Sequence, residues 1–441
     1  MRAPSRRQVL APTLSSRIVD VLTLAPEMRS AEEFCERLAC GTPTDVVDSL
    51  RSIAGGAGRL ATPASRLLEV FASAPDLRVH VPQGCGLPLP HPSDAEWRFS
   101  DQTVGRLLTS VIEATCAGDT ILFHGTPSMA AAAHHSAADR RFRVAGVGNV
   151  VDAAVSALTC DDPRFADPQD HLASAAIVDP PWYVDAYAQM LPDCTSRCRT
   201  GAHILLVMPP HGLRDSIADD RARIGRIAEA AGLVAVGSEP AGVAYRSPVF
   251  EIAAFEAAGL NARFPYWRKG DLMTFVKGAD VAGGVRRAAP PAFELTVEGI
   301  RLRLLGDVSA RKDGLRPVAR GEVFPSVSAR APGRRRANLW TSTNRAFEVD
   351  AVAVLRAMAV LAARREVCPP GLRTLASSAA ESPSVDPIHS LIHELEALVE
   401  REIADAGRLA GEASWTRSID DARFLGACWS TSLGPARGPG G

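Results

Sequence analysis

Four consecutive residues, Asp179-Pro180-Pro181-Trp182, carry the plainest chemistry in the chain, and Tyr183 follows them. The apolar run over 175–178 reads as a buried strand that stops at the acid. A strand ending this way puts a rigid ledge where α/β sheets bind ligands. Two prolines fix the backbone and remove two N–H donors, which leaves carbonyls free to point outward. The Asp179 carboxylate and the Pro180 carbonyl can then both accept hydrogen bonds from one amino group. Trp182 or Tyr183 can hold a flat ring by stacking. The combination suits a primary amine on a planar heterocycle.

The segment from Trp97 to Phe275 resembles the class I S-adenosylmethionine-dependent methyltransferases. Within them it is similar to the amino-methylating group, whose fourth motif reads Asp/Asn/Ser-Pro-Pro-aromatic. The Asp-Pro-Pro-Trp form is that of the adenine-N6 enzymes related to the MT-A70 family. A weaker resemblance is to branched-chain polyamine synthases, which combine a winged helix, a Rossmann-like domain and an Asp-Pro-Pro-aromatic motif, and move an aminopropyl group. The first resemblance implies S-adenosyl-L-methionine as cofactor, Asp179, Pro180, Pro181 and Trp182 as catalytic residues, and DNA or RNA as substrate. It also implies a loop under the cofactor after the first strand, and His124-Gly125-Thr126-Pro127-Ser128 takes that place. Gly125 permits close backbone approach. Ser128 can cap a helix starting at Met129 and leave N–H groups aimed at a carboxylate. The family places an acid and more than one glycine in this loop, and this chain has neither. The family's ribose-holding acid after the second strand is replaced by Asn149. Asp161, with Asp162 as its equal, stands where the adenine amino group is contacted. An inactive binding protein with this fold is the alternative that the altered loop raises, beside aminopropyl transfer.

Other residues are candidates on their own chemistry. Met208-Pro209-Pro210-His211 ends a later strand in the same style, so His211 can face the substrate alongside Tyr183. Arg330, Arg334, Arg335 and Arg336, with Trp340 nearby, form the best local phosphate-contacting stretch, because arginine beside an aromatic suits single strands or flipped bases. No metal site is expected: Cys194 and Cys198 are four apart and no second ligand pair follows.

Composition sets the frame for these elements. The 441 residues suffice for two or three domains, and a hydrophobic fraction of 46% supports a large core. A net charge of −1 provides no global field for nucleic acid, so any such contact must be local. Nine scattered cysteines make no disulfide framework and point to a reducing cytoplasm. No apolar run approaches the ~20 residues of a membrane span.

Periodicity predicts strands over 120–123, 142–147, weakly 156–160, 175–178 and 203–208, then a helix over 213–231 and a closing pair of strands over 233–236 and 249–255. The fold expected is α/β. It has a Rossmann-like methyltransferase core (96–278) with a mostly parallel sheet and an antiparallel closing strand. Around it are a disordered leader (1–15), a helical or winged-helix-like module (16–81) with a wing from Leu60 and 79–81, and a Pro/Gly linker (82–95). An accessory α+β region (279–378) contains a hairpin over 293–305 and a helix over 349–364. A linker (379–387), a helical segment (388–430) and a disordered tail (431–441) follow. The N-terminal module and the narrow apolar stripe of the helix over 388–403 are candidate docking faces for a protein partner.

Overall fold

The chain opens with a layer of four helices: α1 (Leu14–Leu24), α2 (Ala31–Leu38), α3 (Pro43–Ala54) and α4 (Ala61–Ser73). The computed structural model describes residues 14–28, 31–38, 43–73, 87–165, 171–214, 216–259, 268–279, 292–305, 314–365, 385–410 and 426–430. Apolar residues at helical spacing, such as Val46, Val47 and Leu50 of α3 and Ala64, Leu67 and Phe71 of α4, turn inward and bury one another. Helix α1 begins at Leu14, a buried residue inside the expected leader. Leu60 lies in the turn before α4 and makes no wing, and residues 79–81 lie outside the described residues. Phe255 from later in the chain joins this core, and Arg51 donates to the Ala258 carbonyl at 3.2 Å. The described part of the expected linker, residues 87–95, is tied down. Leu87, Leu89 and His91 are buried, and the Leu89 amide donates to the Gly299 carbonyl at 2.9 Å.

The central sheet follows. Helix α5 (Asp101–Glu113), capped where Ser100 accepts from the Thr103 amide, leads into β1 (Thr120–His124), α6 (Pro127–His134), β2 (Arg141–Ala145) and α7 (Asn149–Leu158). Then come β3 (Ala173–Val178), α8 (Val184–Ser196), β4 (Cys198–Met208), α9 (Ile217–Ala230), β5 (Leu233–Ala244), α10 (Val249–Ala257) and β6 (Lys269–Lys277). The strand order is β2-β1-β3-β4-β6-β5. The first four strands are parallel, and β6 runs antiparallel to both β4 and β5. This is the expected α/β sheet with an antiparallel closing strand. Its central strands β1 and β3 are buried at every position, as in covered parallel sheets, while β5 at the edge is largely exposed. Ile121, Phe123, Ile177 and Val207 pack toward α5 and α6, while Leu122, Val178, Ile204 and Leu206 pack toward α8 and α9.

Two expected strands are helices instead. Residues 156–160 are the end of α7 and its turn. Residues 249–255 form α10, where all seven side chains are buried. With no polar face, neither period is readable, and Pro248 at the N-cap favours the helix. The closing hairpin is made by β5 and β6.

A second, antiparallel sheet follows, built from β7 (Ala292–Val297), β8 (Ile300–Leu305), β9 (Arg316–Pro317), β10 (Leu339–Thr341), β11 (Ala346–Glu348) and β12 (Gly426–Ser430) in the order β12-β7-β8-β10-β11-β9. The expected 293–305 hairpin is β7–β8, closed by Glu298 and Gly299 at φ 50° and 77°, as a two-residue hairpin turn requires. Helices α11 (Ala351–Arg364) and α12 (Val385–Ala410) cover the sheet. The apolar stripe of α12, Leu391, Ile392, Leu395, Leu398 and Val399, is buried against α11 and this sheet. It therefore offers no free docking face, contrary to expectation. No described helix is long and apolar enough to cross a membrane.

Candidate functional site

All four parallel strands end at one edge, and a cavity of about 530 Å³ opens there. This size falls within the range of small-molecule sites, ~300–1,000 Å³. Its walls are the loops after β1, β2 and β3, the 94–97 segment, Tyr245 and Arg268 at the hinge of β5 and β6, α3, and the 324–332 loop of the second sheet region.

Asp179 is the first residue beyond β3, and its amide donates to the His124 carbonyl at 3.1 Å. The Tyr245 hydroxyl donates to Asp179 Oδ1 at 2.6 Å. What exposure Asp179 has is to the cavity rather than to bulk water. Burial pushes its carboxyl up to about 8, and the Tyr245 hydrogen bond works in the opposite direction. Burial, then the Asp179 charge, pushes the Tyr245 phenol well above its ordinary range. The Pro181 carbonyl accepts from the Tyr183 amide at 2.6 Å, while the Pro180 carbonyl makes no hydrogen bond among the described residues. Trp182 meets Tyr245 edge to face at 5.7 Å. The Tyr183 hydroxyl accepts from the Ala329 amide at 2.9 Å and so ties the motif to the 324–332 loop. Asp179, Pro180, Pro181, Trp182 and Tyr183 thus all line one cavity.

Gly125 lines it too, at φ 74°, and a Cβ there would sit 2.9 Å from the Asp179 carbonyl oxygen and 2.8 Å from Met190 Cε. Only glycine fits this approach. Gly146, Val147 and Gly148 after β2 form the adjacent wall. Asn149 is exposed and outside the cavity. The carboxylate at this strand end comes from elsewhere: Asp94 lines the cavity, with Oδ2 3.5 Å from where a Cβ on Gly148 would be. Arg301 Nη2 holds that oxygen at 2.6 Å and Arg303 holds the other.

The remaining candidates stand elsewhere. His124 is buried outside the cavity, with Nε2 2.9 Å from Asp193 Oδ2, and Arg197 also binds Asp193. The His124 hydrogen bond, with help from Arg197, holds the Asp193 carboxyl far below its usual range. Thr126 is buried with no hydrogen-bond partner for its hydroxyl among the described residues. Helix α6 starts at Pro127, so Ser128 lies within its first turn and is not its cap. Asp161 is exposed and outside the cavity, while Asp162 binds Arg164 and His134. His211 is exposed beyond the cavity, with its carbonyl taken by Arg17 at 3.1 Å. The basic stretch is partly internal: Arg334 stacks 4.3 Å over Trp340 and donates to the Pro92 carbonyl at 2.7 Å, and Trp340 is buried. Trp340 therefore has no face for a base, whereas Arg330, Arg335 and Arg336 are exposed and Arg330 also lines the cavity. Tyr245, Arg268, Trp97 and Asp94 escaped the sequence reading. Only Tyr245 carries a local signal, an aromatic closing an apolar run, and that is too common to single out.

No family model matches the chain, and no curated protein matches it. Among solved structures, the branched-chain polyamine synthase from Thermus thermophilus, in complex with N4-aminopropylspermidine and 5'-methylthioadenosine, is 11% identical over 62% of this chain and 90% of its own, with a TM-score of 0.42. The T. thermophilus 16S rRNA N2 G1207 methyltransferase, with AdoMet and guanosine, is 13% identical over 51% of this chain and 54% of its own, with a TM-score of 0.24. A geranyl diphosphate methyltransferase, with GPP and sinefungin, is 11% identical over 39% and 78%, with a TM-score of 0.26. At this degree of likeness the α/β assignment rests on the chain's own sheet order.

Proposed function

We propose that this chain transfers a methyl group from S-adenosylmethionine to an exocyclic amine, with adenine N6 of DNA or RNA first among acceptors. The observation that carries the reading is the Asp179 site: a carboxyl, a free Pro180 carbonyl and the Trp182 ring share one cavity with a glycine-lined wall. The cofactor fits that wall. Gly125, Gly146 and Gly148 present backbone to the cavity, the first two at positive φ with no room for a Cβ, and Asp94 offers the carboxylate that a ribose diol needs beside β2. When bound, the cofactor supplies an electrophilic carbon on a sulfonium. Asp179 and Pro180 accept the two amine hydrogens, favour the pyramidal nitrogen and stabilise the positive charge that grows on it. Trp182 and Trp97 orient the acceptor and exclude water, and positioning is most of the catalysis in such a transfer. Asp179 in its carboxylate form is the better acceptor, and the excess proton on the amine leaves to solvent after transfer.

Aminopropyl transfer to a polyamine is the second reading. It is favoured by Asp45 and Asp48 of α3, which add acids to the cavity wall. Calorimetric titration with S-adenosylmethionine and S-adenosylhomocysteine, followed by mass-spectrometric assay on adenine-containing oligonucleotides and on spermidine with the decarboxylated cofactor, tests both. Methylated adenine supports the first reading, and aminopropylated spermidine replaces it with the second. Failure to bind either cofactor form leaves a non-catalytic scaffold.

A further inference from the structure

Arg268, just before β6, is 7% exposed yet lines the cavity. Its Nε donates at 2.7 Å to Oε1 of Glu251 on α10, which is fully buried, and the other Glu251 oxygen accepts from the Trp97 indole at 3.0 Å. The guanidinium carbon lies 4.2 Å from the Trp97 ring centre and 5.8 Å from that of Trp182. Stacking between aromatic faces fixes the plane of a guanidinium and leaves its edge for hydrogen bonds. The two terminal amino groups of Arg268 make no hydrogen bond among the described residues, and neither is sealed from the cavity. Close by, Arg214 and Arg330 lie 6.0 and 5.4 Å from the Tyr183 ring centre and share Asp220. This side of the cavity therefore carries three arginines, two carboxylates bonded to them, Glu251 and Asp220, and Asp179, which Tyr245 holds apart from them.

The geometry points to an oxyanion subsite in the acceptor's half of the cavity: the acceptor carries a phosphate or carboxylate that the Arg268 edge receives while its amino group meets Asp179. The sheet order places this subsite away from the cofactor wall. Arg268 and Tyr245 face each other across the β5–β6 hinge, where the Tyr245 amide donates to the Arg268 carbonyl at 2.9 Å, whereas Gly146, Gly148 and Asp94 stand at β2 on the opposite edge. A planar fork of donors suits a carboxylate or phosphate and repels an ammonium. The inference rests on the amine-acceptor reading and narrows it to an anionic amine, which disfavours a polyamine.

The test is calorimetry on the full chain, with and without S-adenosylhomocysteine, using adenosine against adenosine 5'-monophosphate and aniline against 4-aminobenzoate. At least one anionic member is expected to bind at least about tenfold tighter than its neutral partner, since a charge-assisted pair is worth about a factor of ten or more. The pair that shows the gain tells phosphate from carboxylate. Arg268→Gln should reduce the gain below about twofold while S-adenosylhomocysteine affinity stays unchanged. Because that variant strands Glu251, Arg268→Gln combined with Glu251→Gln keeps the buried charge balanced and should lose the gain as well. Equal affinities within both pairs, or a gain that survives in both variants, overturns the inference. So does a variant that weakens S-adenosylhomocysteine but not 5'-methylthioadenosine, because Arg268 would then hold the cofactor's own carboxylate. Wild type that shows the gain but binds no cofactor keeps the subsite and sinks the transfer reading.

Discussion

Asp179 holds the two requirements of the site in tension. The cavity that admits an amine also removes water from the carboxyl, and burial lifts it to about 8. Transfer that depends on the carboxylate should rise with pH, up to about tenfold per unit below that value, and level off above it; initial rates across pH 6 to 9 check this. Removing the phenol in Tyr245→Phe takes away the one contact that lowers the carboxyl, so the limb should move to higher pH. The same shift sets a stability trend. A carboxyl with a folded value above its unfolded value of about 3.9 binds more protons in the folded state, so stability is fullest below about pH 4 and falls as pH rises toward about 8. Asp179→Asn removes that trend. Relative to wild type it should be ~1–3 kcal/mol more stable at pH 8 than at pH 5 in urea titrations, while transfer drops about 100-fold or more. A variant that loses transfer with no such pH-dependent gain would show that Asp179 is ionised in the resting site. Gly125→Val, at φ 74° with the Asp179 carbonyl in the way, should weaken S-adenosylhomocysteine by more than about tenfold in calorimetry.

At the scale of elements, the site depends on how closely β6 approaches the motif. A Cβ on Gly270 would lie 2.8 Å from Val207 Cγ1 and 3.2 Å from Trp182 Cζ2. Gly270→Ala should therefore push Trp182 off Tyr245 and raise the acceptor KM about tenfold, with cofactor affinity unchanged by calorimetry. Equal changes in both would mean that the whole strand end moves. That strand also marks where legibility in the sequence stopped. β1, β3 and β4 were legible because short apolar runs ended in turn residues, and Asp179 to Tyr183 because their chemistry is local. Of the β5–β6 hairpin only the start of β5, residues 233–236, was: the later half of β5 carries Gly237 and Gly242, and two register breaks against β6 erase any period. Helix α10 read as a strand because a fully buried helix has no polar face to reveal its turn. Asp94 and Arg268 reach the cavity from residues far from the motif, and no spacing encodes that proximity. His124 and Trp340 show the converse. Each is a chemically capable residue in a suggestive place, but packing uses them internally.

Across the whole molecule, the cavity is completed by parts outside the central sheet, and one arginine couples them. Arg301 on β8 is fully buried. It binds Asp94 at 2.6 Å, Glu96 at 2.8 Å and Glu294 through Nε, and so fastens the 94–97 wall to the second sheet. The neighbouring acids Glu294 and Glu96 hold its guanidinium in the charged form despite burial. Three carboxylates around one cation make a cluster that is costly to break, because loss of the cation strands charges away from water. Arg301→Met should cost ~3–5 kcal/mol in urea titrations and weaken S-adenosylhomocysteine, as Asp94 loses one of the two arginines that hold it beside Gly148. Adding Glu294→Leu removes one stranded acid and should recover part of the stability, yet it leaves Asp94 held by Arg303 alone, so cofactor affinity should stay low. That split separates a structural from a functional role for the cluster. Wild-type cofactor affinity in the double variant would show that the glycine loops alone position the ligand and that the second sheet only props up the wall.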